Sequence, residues 1–486
     1  MSALGVRQLS SDSTRRIYQL VRQLLGIQIL IHLFKIAISL VLLPLDNTIL
    51  CLAVALSYLS PVLPYIATVR YRRGLQYRPK TILVTGINTP HGLRIARSFH
   101  DEGHRVVGAD VTDAGFPAGE SLSWALVAYY RITKLDYRLL LLDIVQRENV
   151  DLWIPCLRDI SVIEDAMAKE EIESRTSCRC VTLDTELATQ WSQSDSLIQY
   201  LVKQGLPVVE NHQVQSRDII HRILNRSPSK VYHMRKRTPA SSNDVIVLPK
   251  RTLSSTYSEV SEIQVSKDSP WLMQQHGRLG EFDAELLIIR GHVSAITICP
   301  TKRESVWGRS PLNDSLAVVI YQVLDKFASR GTPRINGHFA VRLMVDEELS
   351  PHSVRYEVHI AGCAQGAGAT ARLLLDTPHR MLVNGYLRLL EDHTLVNGIV
   401  RPDVSIRDAY RTSGGHAISQ TIPALYPGAQ YIGWMLNRLS KLLFWKDWRF
   451  AVTDPLPWWW HNHIFLPLKE FVLILQAVRR ALGSQS

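Results

Sequence analysis

Cysteine is scarce and scattered in this sequence. There are six in 486 residues, at Cys51, Cys156, Cys178, Cys180, Cys299 and Cys363, and no two are spaced C-x-x-C. That excludes a ligand ladder for structural zinc and suits a reduced compartment better than a disulfide scaffold. Internal repeats and low-complexity tracts are also missing. No run of basic and aromatic residues marks a strand-binding groove, which argues against nucleic acid as a partner. The glycine-rich stretch "GCAQGAGAT" (Gly362 to Thr370) lacks the lysine of a G-x-x-x-x-G-K-[ST] loop, so it is no phosphate cradle of that type. It either lines a substrate pocket, where small residues allow close backbone approach, or forms a mobile loop.

What is present is apolar sequence, 46% of the residues, and an excess of positive charge, +11. The charge thickens at Arg70, Arg72 and Arg73 and again at Arg235, Lys236 and Arg237. Leu24 to Leu43 and Ile49 to Thr68 are each long enough to cross a hydrocarbon core. "PLDN" (Pro44 to Asn47) between them reads as a tight turn. Arg15, Arg16 and Arg22 precede the pair and the 70–73 cluster follows it, which favours a hairpin with both ends in the cytosol. His32 and Lys35 cost insertion energy, so an interfacial hairpin competes with two full spans. The late start and the length of the apolar region argue against a cleaved signal peptide. We therefore expect an N-terminal tail over 1–23 and a membrane anchor hairpin over 24–69, with membrane lipid as a partner. The bland alternative is a buried helical hairpin.

From Thr81 to about Thr182 strands and helices alternate: Ile82 to Val84, a second strand ending at Asp110, a helix "YRLLLLDIVQREN" (Tyr137 to Asn149), then "VDLWIPC" (Val150 to Cys156) and "RCVTLD" (Arg179 to Asp184). This pattern specifies a parallel, doubly wound sheet. A helix stopped by Gly205 follows. Beyond it the texture changes to strands of an antiparallel sheet: "SKVYHMRKR", "VIVLP", "PWLMQQ", "AELLIIRGHVSAITIC", "HFAVRLMVD" and "VRYEVHIAG", with a flexible loop "TPASSND" after the first. Gly86 and Gly92 match the T-G-x-x-x-x-x-G spacing of short-chain reductases, and Tyr130 with Lys134 supplies a Y-x-x-x-K. That pair comes after only the second strand, too early for the reductase helix, and a lone glycine turn is a weak signal. The hydride reading falls.

The order of a small parallel sheet, a linking helix, a strand pair around a loop and an antiparallel sheet is that of ATP-grasp enzymes. The sequence resembles, nearly end to end, the ATP-grasp ligases of the mycosporine-glycine synthetase type, which join an amino acid to a cyclohexenone precursor. The resemblance lies in the apolar N-terminal segment, "ILVTG…ARSFHDEGHRVV", "LLDIVQRENVDLWIPC", "PWLMQQ", the strand carrying Glu357, and the tail "DPLPWWWHNHIFLPL". It implies an α/β and α+β chain: a parallel Rossmann-like (pre-ATP-grasp) domain over 80–190, an ATP-grasp fold over 191–400, and a helical, aromatic, membrane-associated region over 401–486. It also implies ATP and Mg²⁺, with small-molecule carboxylate and amine substrates joined through an acyl or enol phosphate. Such chemistry is mostly positioning and neutralisation of spread negative charge.

On this resemblance the phosphate lysine falls on Arg235 or Lys236; the bland alternative is a solvated strand end. The adenine-contacting edge falls on Gln274 and Gln275. Glu281 is read as a nucleotide-binding carboxylate, beside the Phe282 that replaces the family's glutamate. Glu357 holds the place of the metal-binding glutamate in E-C-N-P-R, with His359 in place of its asparagine and Ala361 in place of its arginine. Arg342 stands where the other magnesium carboxylate belongs, and would replace the metal's charge by contacting phosphate directly. Ser194 stands where an early lysine belongs. Glu281, Asp283 and Asp346 lie near enough in sequence to supply the displaced carboxylate. In the tail, His461 and His463 would share a face of a strand and chelate metal. The stronger reading is that Trp458 to Trp460 mark a membrane interface, followed by an amphipathic helix lying on the bilayer.

Overall fold

The structure is a computed structural model; the residues it describes are 29–55, 78–112, 116–228, 230–236, 245–265, 271–277, 279–301, 314–330, 335–350, 353–391 and 447–483. The chain opens with α1 (Ile29–Ala55), β1 (Thr81–Thr85), α2 (Pro90–Asp101), β2 (Arg105–Val111), β3 (Ala128–Ile132), α3 (Tyr137–Glu148), β4 (Leu152–Pro155), α4 (Val162–Arg175) and β5 (Arg179–Cys180). Next come α5 (Thr185–Trp191), α6 (Ser194–Lys203), β6 (Asn211–Val214), α7 (Arg217–Arg226), β7 (Val231–Lys236), β8 (Ile246–Leu248), α8 (Leu253–Glu262) and β9 (Trp271–His276). The remainder is β10 (Gly280–Ile289), β11 (His292–Pro300), α9 (Asp314–Arg330), β12 (Gly337–Ser350), β13 (Ser353–Gln365), α10 (Ala371–Asp376), α11 (His379–Leu387), α12 (Leu456–Trp460) and α13 (Leu466–Gly483). Two compact units divide these elements. One is Met1–Pro79 with Gly86–Thr133 and Ala424–Ser486; the other is Lys80–Thr85 with Lys134–Pro423.

In the first unit α1 corrects the hairpin expectation. The helix runs straight through Pro44–Asn47, so no turn forms there. A proline inside a helix removes one backbone hydrogen bond, and here the neighbouring polar side chains are used elsewhere. His463 Nε2 lies 2.8 Å from Asp46 Oδ2, and Trp459 Nε1 donates to Asn47 Oδ1 at 2.8 Å. The second apolar segment lies outside the described residues beyond Ala55, as do the flanking arginines. The tail histidines are also corrected. His461–Phe465 continues α12 as a wide helical turn, so His461 and His463 do not alternate on a strand.

The glycine turn of this unit is built by packing. Gly86 has φ +80°, and Thr89 caps α2, accepting from Gly92 N at 3.1 Å and donating to Gly86 O at 2.6 Å. A Cβ on Gly92 would sit 2.1 Å from that same carbonyl oxygen. Gly92→Ala is therefore expected to cost more than the roughly 1–3 kcal/mol of ordinary overpacking, because the obstacle is backbone. A urea midpoint indistinguishable from wild type would contradict this. Asp110, at the end of β2, is buried and accepts from Asn88 N at 3.2 Å and Tyr129 Oη at 3.3 Å. Burial pushes its carboxyl up to about 7. β2 and β3 run parallel, with Val107 opposite Ala128. Tyr130 lies on β3 rather than on a helix, which disposes of the Y-x-x-x-K reading.

The tail residues 447–465 belong to the same unit. Arg97 Nε donates to Asp454 Oδ2 at 2.8 Å, and its Nη2 donates to the carbonyls of Arg449 (2.6 Å) and Asp454 (3.1 Å). Ser123 Oγ and Trp124 N complete the shell of the Asp454 carboxylate, at 2.6 and 3.0 Å.

In the second unit β1 pairs with β4 and β4 with β5, all parallel. α4 starts on a capping box between Ser161 and Glu164. Two antiparallel sheets follow, ordered β11-β10-β12-β13 and β6-β9-β7-β8. The first turns between β10 and β11 on Arg290 (φ +52°) and Gly291 (φ +72°). The whole is a mixed α/β chain, a parallel sheet succeeded by antiparallel ones, with an apolar N-terminal helix. The loop expected at Thr238 to Asp244 lies outside the described residues.

Candidate functional site

The period-two alternation of a strand gives each antiparallel sheet two different faces. On the β10–β13 sheet, Phe282, Ala284, Leu286 and Ile288 of β10 share one face with Phe339, Val341, Leu343 and Val345 of β12 and Val358 and Ile360 of β13. They form the main core with Leu316, Ile320, Leu324 and Phe327 of α9 and with Trp191. The alternate positions therefore carry the polar side chains to the opposite face. In register, Asp283 is opposite Arg342, Glu281 is opposite Met344, Met344 is opposite His359, and Asp346 is opposite Glu357. A Cβ on Gly277 would meet Val345 O at 2.3 Å and Met344 Cγ at 2.8 Å, so the segment leaving β9 crosses this sheet closely at that point.

Sequence reasoning placed Glu281, Arg342, Glu357 and His359 at the site, and the register brings all four onto this one face. Arg342 is exposed, and its Nε lies 3.5 Å from Asp283 Oδ1. Asp346 and Glu357 are cross-strand neighbours, directly opposite each other in register. Among the described residues no group of three or more His, Cys, Asp or Glu is arranged to hold a metal ion. Two adjacent carboxylates nonetheless suit Mg²⁺ shared with phosphate oxygens, since that ion takes one or two protein carboxylates and keeps its remaining ligands as water and phosphate.

The β6–β9 sheet has its own two faces. Tyr232, Met234, Leu248, Trp271, Met273 and Val214 form a core with Ile220 and Leu224 of α7 and Val260 of α8. Arg235, His233, Gln274 and His276 take the other face, with His233 opposite Gln274 and Arg235 opposite Leu272. The rings of His233 and His276 stack at 3.7 Å. The expected pair Gln274 and Gln275 is thus split. Gln275 points to the core side, 2% exposed, and its Oε1 accepts from Glu210 N at 3.4 Å. Lys236 holds the register position opposite Trp271. Ser194 begins α6.

Two residues the sequence reading missed join the sheets. Ile360 exchanges backbone hydrogen bonds with Pro207 (2.8 Å) and Val209 (3.0 Å), laying that segment parallel to β13. Glu210 follows directly. It accepts from Lys230 Nζ at 2.6 Å and Tyr232 Oη at 3.0 Å, and lies 3.5 Å from His212 Nε2. Burial pushes Glu210 up, but the bonds from Lys230, Tyr232 and His212 outweigh it and hold the carboxyl below its usual value. Burial and the Lys230 ammonium hold the His359 imidazole low, against the opposing pull of Glu357, Asp346 and Glu210. His359 is thereby kept neutral near pH 7, a hydrogen-bonding group beside the carboxylate pair.

Within the same unit a cavity of about 470 Å³ opens at the carboxyl end of β4. Pro155, Arg158, Ser161, Asp165, Asn336, His338 and Gln365 to Ala369 line it. Gln365 to Ala369 of the glycine-rich stretch therefore border a cavity. Gln365 Oε1 is buried with no hydrogen-bond partner among the described residues. His338 Nε2 and Tyr386 Oη are hydrogen-bonded at 2.6 Å.

Asp165 accepts from Tyr137 Oη at 2.7 Å, and burial pushes it up to about 7. A carboxyl raised on folding stabilises fully below its unfolded value near 4, and this contribution is lost as pH rises through about 7. A rise from near 4 to about 7 corresponds to on the order of 4 kcal/mol. Asp165→Asn keeps an acceptor for Tyr137 and removes the titration. The drop in thermal midpoint between pH 5 and pH 8 should therefore shrink in this variant; Asp110 titrates in the same range and should leave a remainder. An unchanged drop would contradict the assignment.

No protein-family model matches the sequence, and no curated protein sequence does. Solved structures of similar shape include the biotin carboxylase subunit of pyruvate carboxylase, at 12% identity and TM-score 0.42 over 62% of this chain and 71% of that one. Others are N5-carboxyaminoimidazole synthetase from Staphylococcus aureus, at 12% and 0.38 over 63% and 77%, and phosphoribosylglycinamide synthetase from Anaerococcus prevotii, at 13% and 0.40 over 60% and 68%. Likenesses this slight carry no residue role or activity across to the chain.

Proposed function

We propose that the protein is a membrane-associated, ATP-dependent ligase with the ATP-grasp arrangement, joining a small-molecule carboxylate to an amine or amino acid. The observation that carries this is the polar face of β10, β12 and β13, where Asp346 and Glu357 are directly opposite each other, His359 lies two residues from Glu357, and Arg342 stands further along the same face. Phosphoryl transfer needs fixed charge around the phosphates more than it needs covalent chemistry from the protein. Asp346 and Glu357 would hold Mg²⁺, which would supply neutralisation of phosphate oxygens. Arg342 and Arg235 would add cationic contacts to phosphate oxygens, and Gln274 and Glu281 would contact the nucleoside; Lys236 falls at the core-side register position opposite Trp271 and is set aside. Lys230 and Glu210 set the charge around His359 and are positioning residues.

The cavity beside Gln365 fits the acceptor. Arg158 suits a carboxylate, and the unpartnered Gln365 oxygen suits an amine N–H. The amine nitrogen would attack the phosphorylated carboxylate, forming the C–N bond as phosphate leaves with its oxygen. A mycosporine-glycine synthetase-like reaction in a specialised biosynthetic route, with the soluble part facing the cytosol and α1 as anchor, is the narrower form of the same reading. Release of ADP from the purified full-length protein, on adding panels of acids and amines with ATP and Mg²⁺, tests it. No ADP, together with no ATP-induced thermal shift, would remove it.

The pairing of Arg342 with Asp283 favours a second reading. The two charges satisfy each other where the resemblance expects a metal carboxylate, as in a scaffold that has lost ligation. Such a scaffold would bind nucleotide equally well with and without magnesium.

A further inference from the structure

α1 is 27 residues long with mean hydropathy 2.0, and among the described residues it is the one helix long and apolar enough to cross a membrane. Its polar residues do not scatter. His32, Lys35, Ser39 and Asp46 are spaced three, four and seven apart, so they form one stripe along the helix. The tail carries a matching stripe at Trp459, His463 and Glu470.

The stripes meet in reverse order. His32 Nδ1 pairs with Glu470 Oε2, and Lys35 Nζ donates to Glu470 Oε1 at 2.9 Å. Ser39 Oγ donates to Asn462 O at 2.8 Å and lies 3.1 Å from His463 Nδ1. Asp46 meets His463, and Asn47 meets Trp459. As numbers rise along α1 they fall along the tail, so the continuous helical stretch of α12, the wide turn and the start of α13 runs antiparallel to α1.

The outward faces are apolar. Leu30, Phe34, Leu40 and Val41 of α1 are exposed, as are Phe471 and Leu475 of α13. A helix pair in water buries its apolar side chains; this one exposes many of them and buries the carboxylates of Asp46 and Glu470. Charges within hydrocarbon must face a partner that satisfies them, and each polar residue of the α1 stripe has such a partner on the tail.

We propose that α1 and α13 enter a lipid bilayer together, as an antiparallel pair sealed by the His32–Lys35–Glu470 and Ser39–His463–Asp46 contacts, with acyl chains covering the outer faces. α13 is then a co-inserted half of the anchor, where the sequence suggested a helix lying on the surface. Arg479 near the end of α13 fits an anionic headgroup at that end of the pair. The inference stands whether or not the ligase reading does.

The test uses the full chain with Cys51→Ser and Cys363→Ser, which leaves only buried native cysteines. Single Phe34→Cys, Phe471→Cys, Leu475→Cys and, as a control on the other unit, Leu135→Cys variants are labelled with an environment-sensitive fluorophore. They are then reconstituted in phosphatidylcholine–phosphatidylglycerol vesicles carrying an acyl-chain quencher. Several-fold stronger quenching at 34, 471 and 475 than at 135 is expected. Adding Glu470→Lys, which faces Lys35 with a like charge, should lose the quenching at 471 and 475 while leaving it at 34. The proposal is overturned if 471 and 475 stay unquenched. It is also overturned if Glu470→Lys leaves them quenched, or if all three sites are shielded without lipid in a species of doubled mass.

Discussion

Glu357→Ala should lower ATP-dependent ADP release by about a hundredfold or more, the scale on which removing one preorganised electrostatic contact acts. Glu357 is exposed on β13 and makes no part of the core, so the thermal midpoint should hardly move. Asp346→Ala should give a similar loss. Because both carboxylates would hold one ion, the double variant should be little worse than the worse single one. Raising the magnesium concentration should restore part of the activity of either single variant. If both single variants keep full activity, no metal is held between β12 and β13.

Arg97→Ala is expected to be the most damaging single change to the first unit. Its guanidinium is mostly buried, the Asp454 carboxylate still more so, and the two are joined at 2.8 Å. Truncating one partner leaves the other charged and enclosed, which costs about 3–5 kcal/mol. The same guanidinium also bonds three tail carbonyls, so its loss should release the segment from Asp447 onward as well. Limited proteolysis should then cut within that segment, and the urea midpoint should fall. Replacing both partners by apolar residues of similar volume should do less harm than either truncation. A tail that stays protected in Arg97→Ala would show that Asp454 does not need this cation.

The strands of both antiparallel sheets, apart from β6 with its polar "NHQV", were legible because period-two alternation and β-branched runs are local properties. "FAVRLMV" announces one apolar and one polar face whatever lies next to it. The parallel region was legible for the same reason, except β3, whose "AYYRI" carries aromatic and charged residues without a clear alternation. Pro44 misled because proline and "LDN" are honest turn signals. What overrode them is tertiary: Asp46 and Asn47 have partners more than four hundred residues away. The tail was misread likewise, since no local pattern in "WWWHNH" reveals that His463 faces Asp46.

Within the site, Glu357 and Arg342 could be named from the resemblance, but their neighbours could not. Glu210 and Lys230 are twenty residues apart in unlike segments, and only the backbone bonds of Val209 to Ile360 bring them to His359. The split of Gln274 from Gln275 follows from strand parity and was available in principle, once the buried face of β9 is assigned through Trp271 and Met273.

Calorimetric titration of ATP into the full-length protein, with magnesium and then with the ion chelated, tests the central claim most directly. Saturable binding that weakens at least about tenfold on chelation, and that loses this magnesium dependence in Glu357→Ala, is the predicted result. Absence of saturable binding with magnesium present, or equal binding in both conditions, would contradict a triphosphate held against the charged face of β10, β12 and β13.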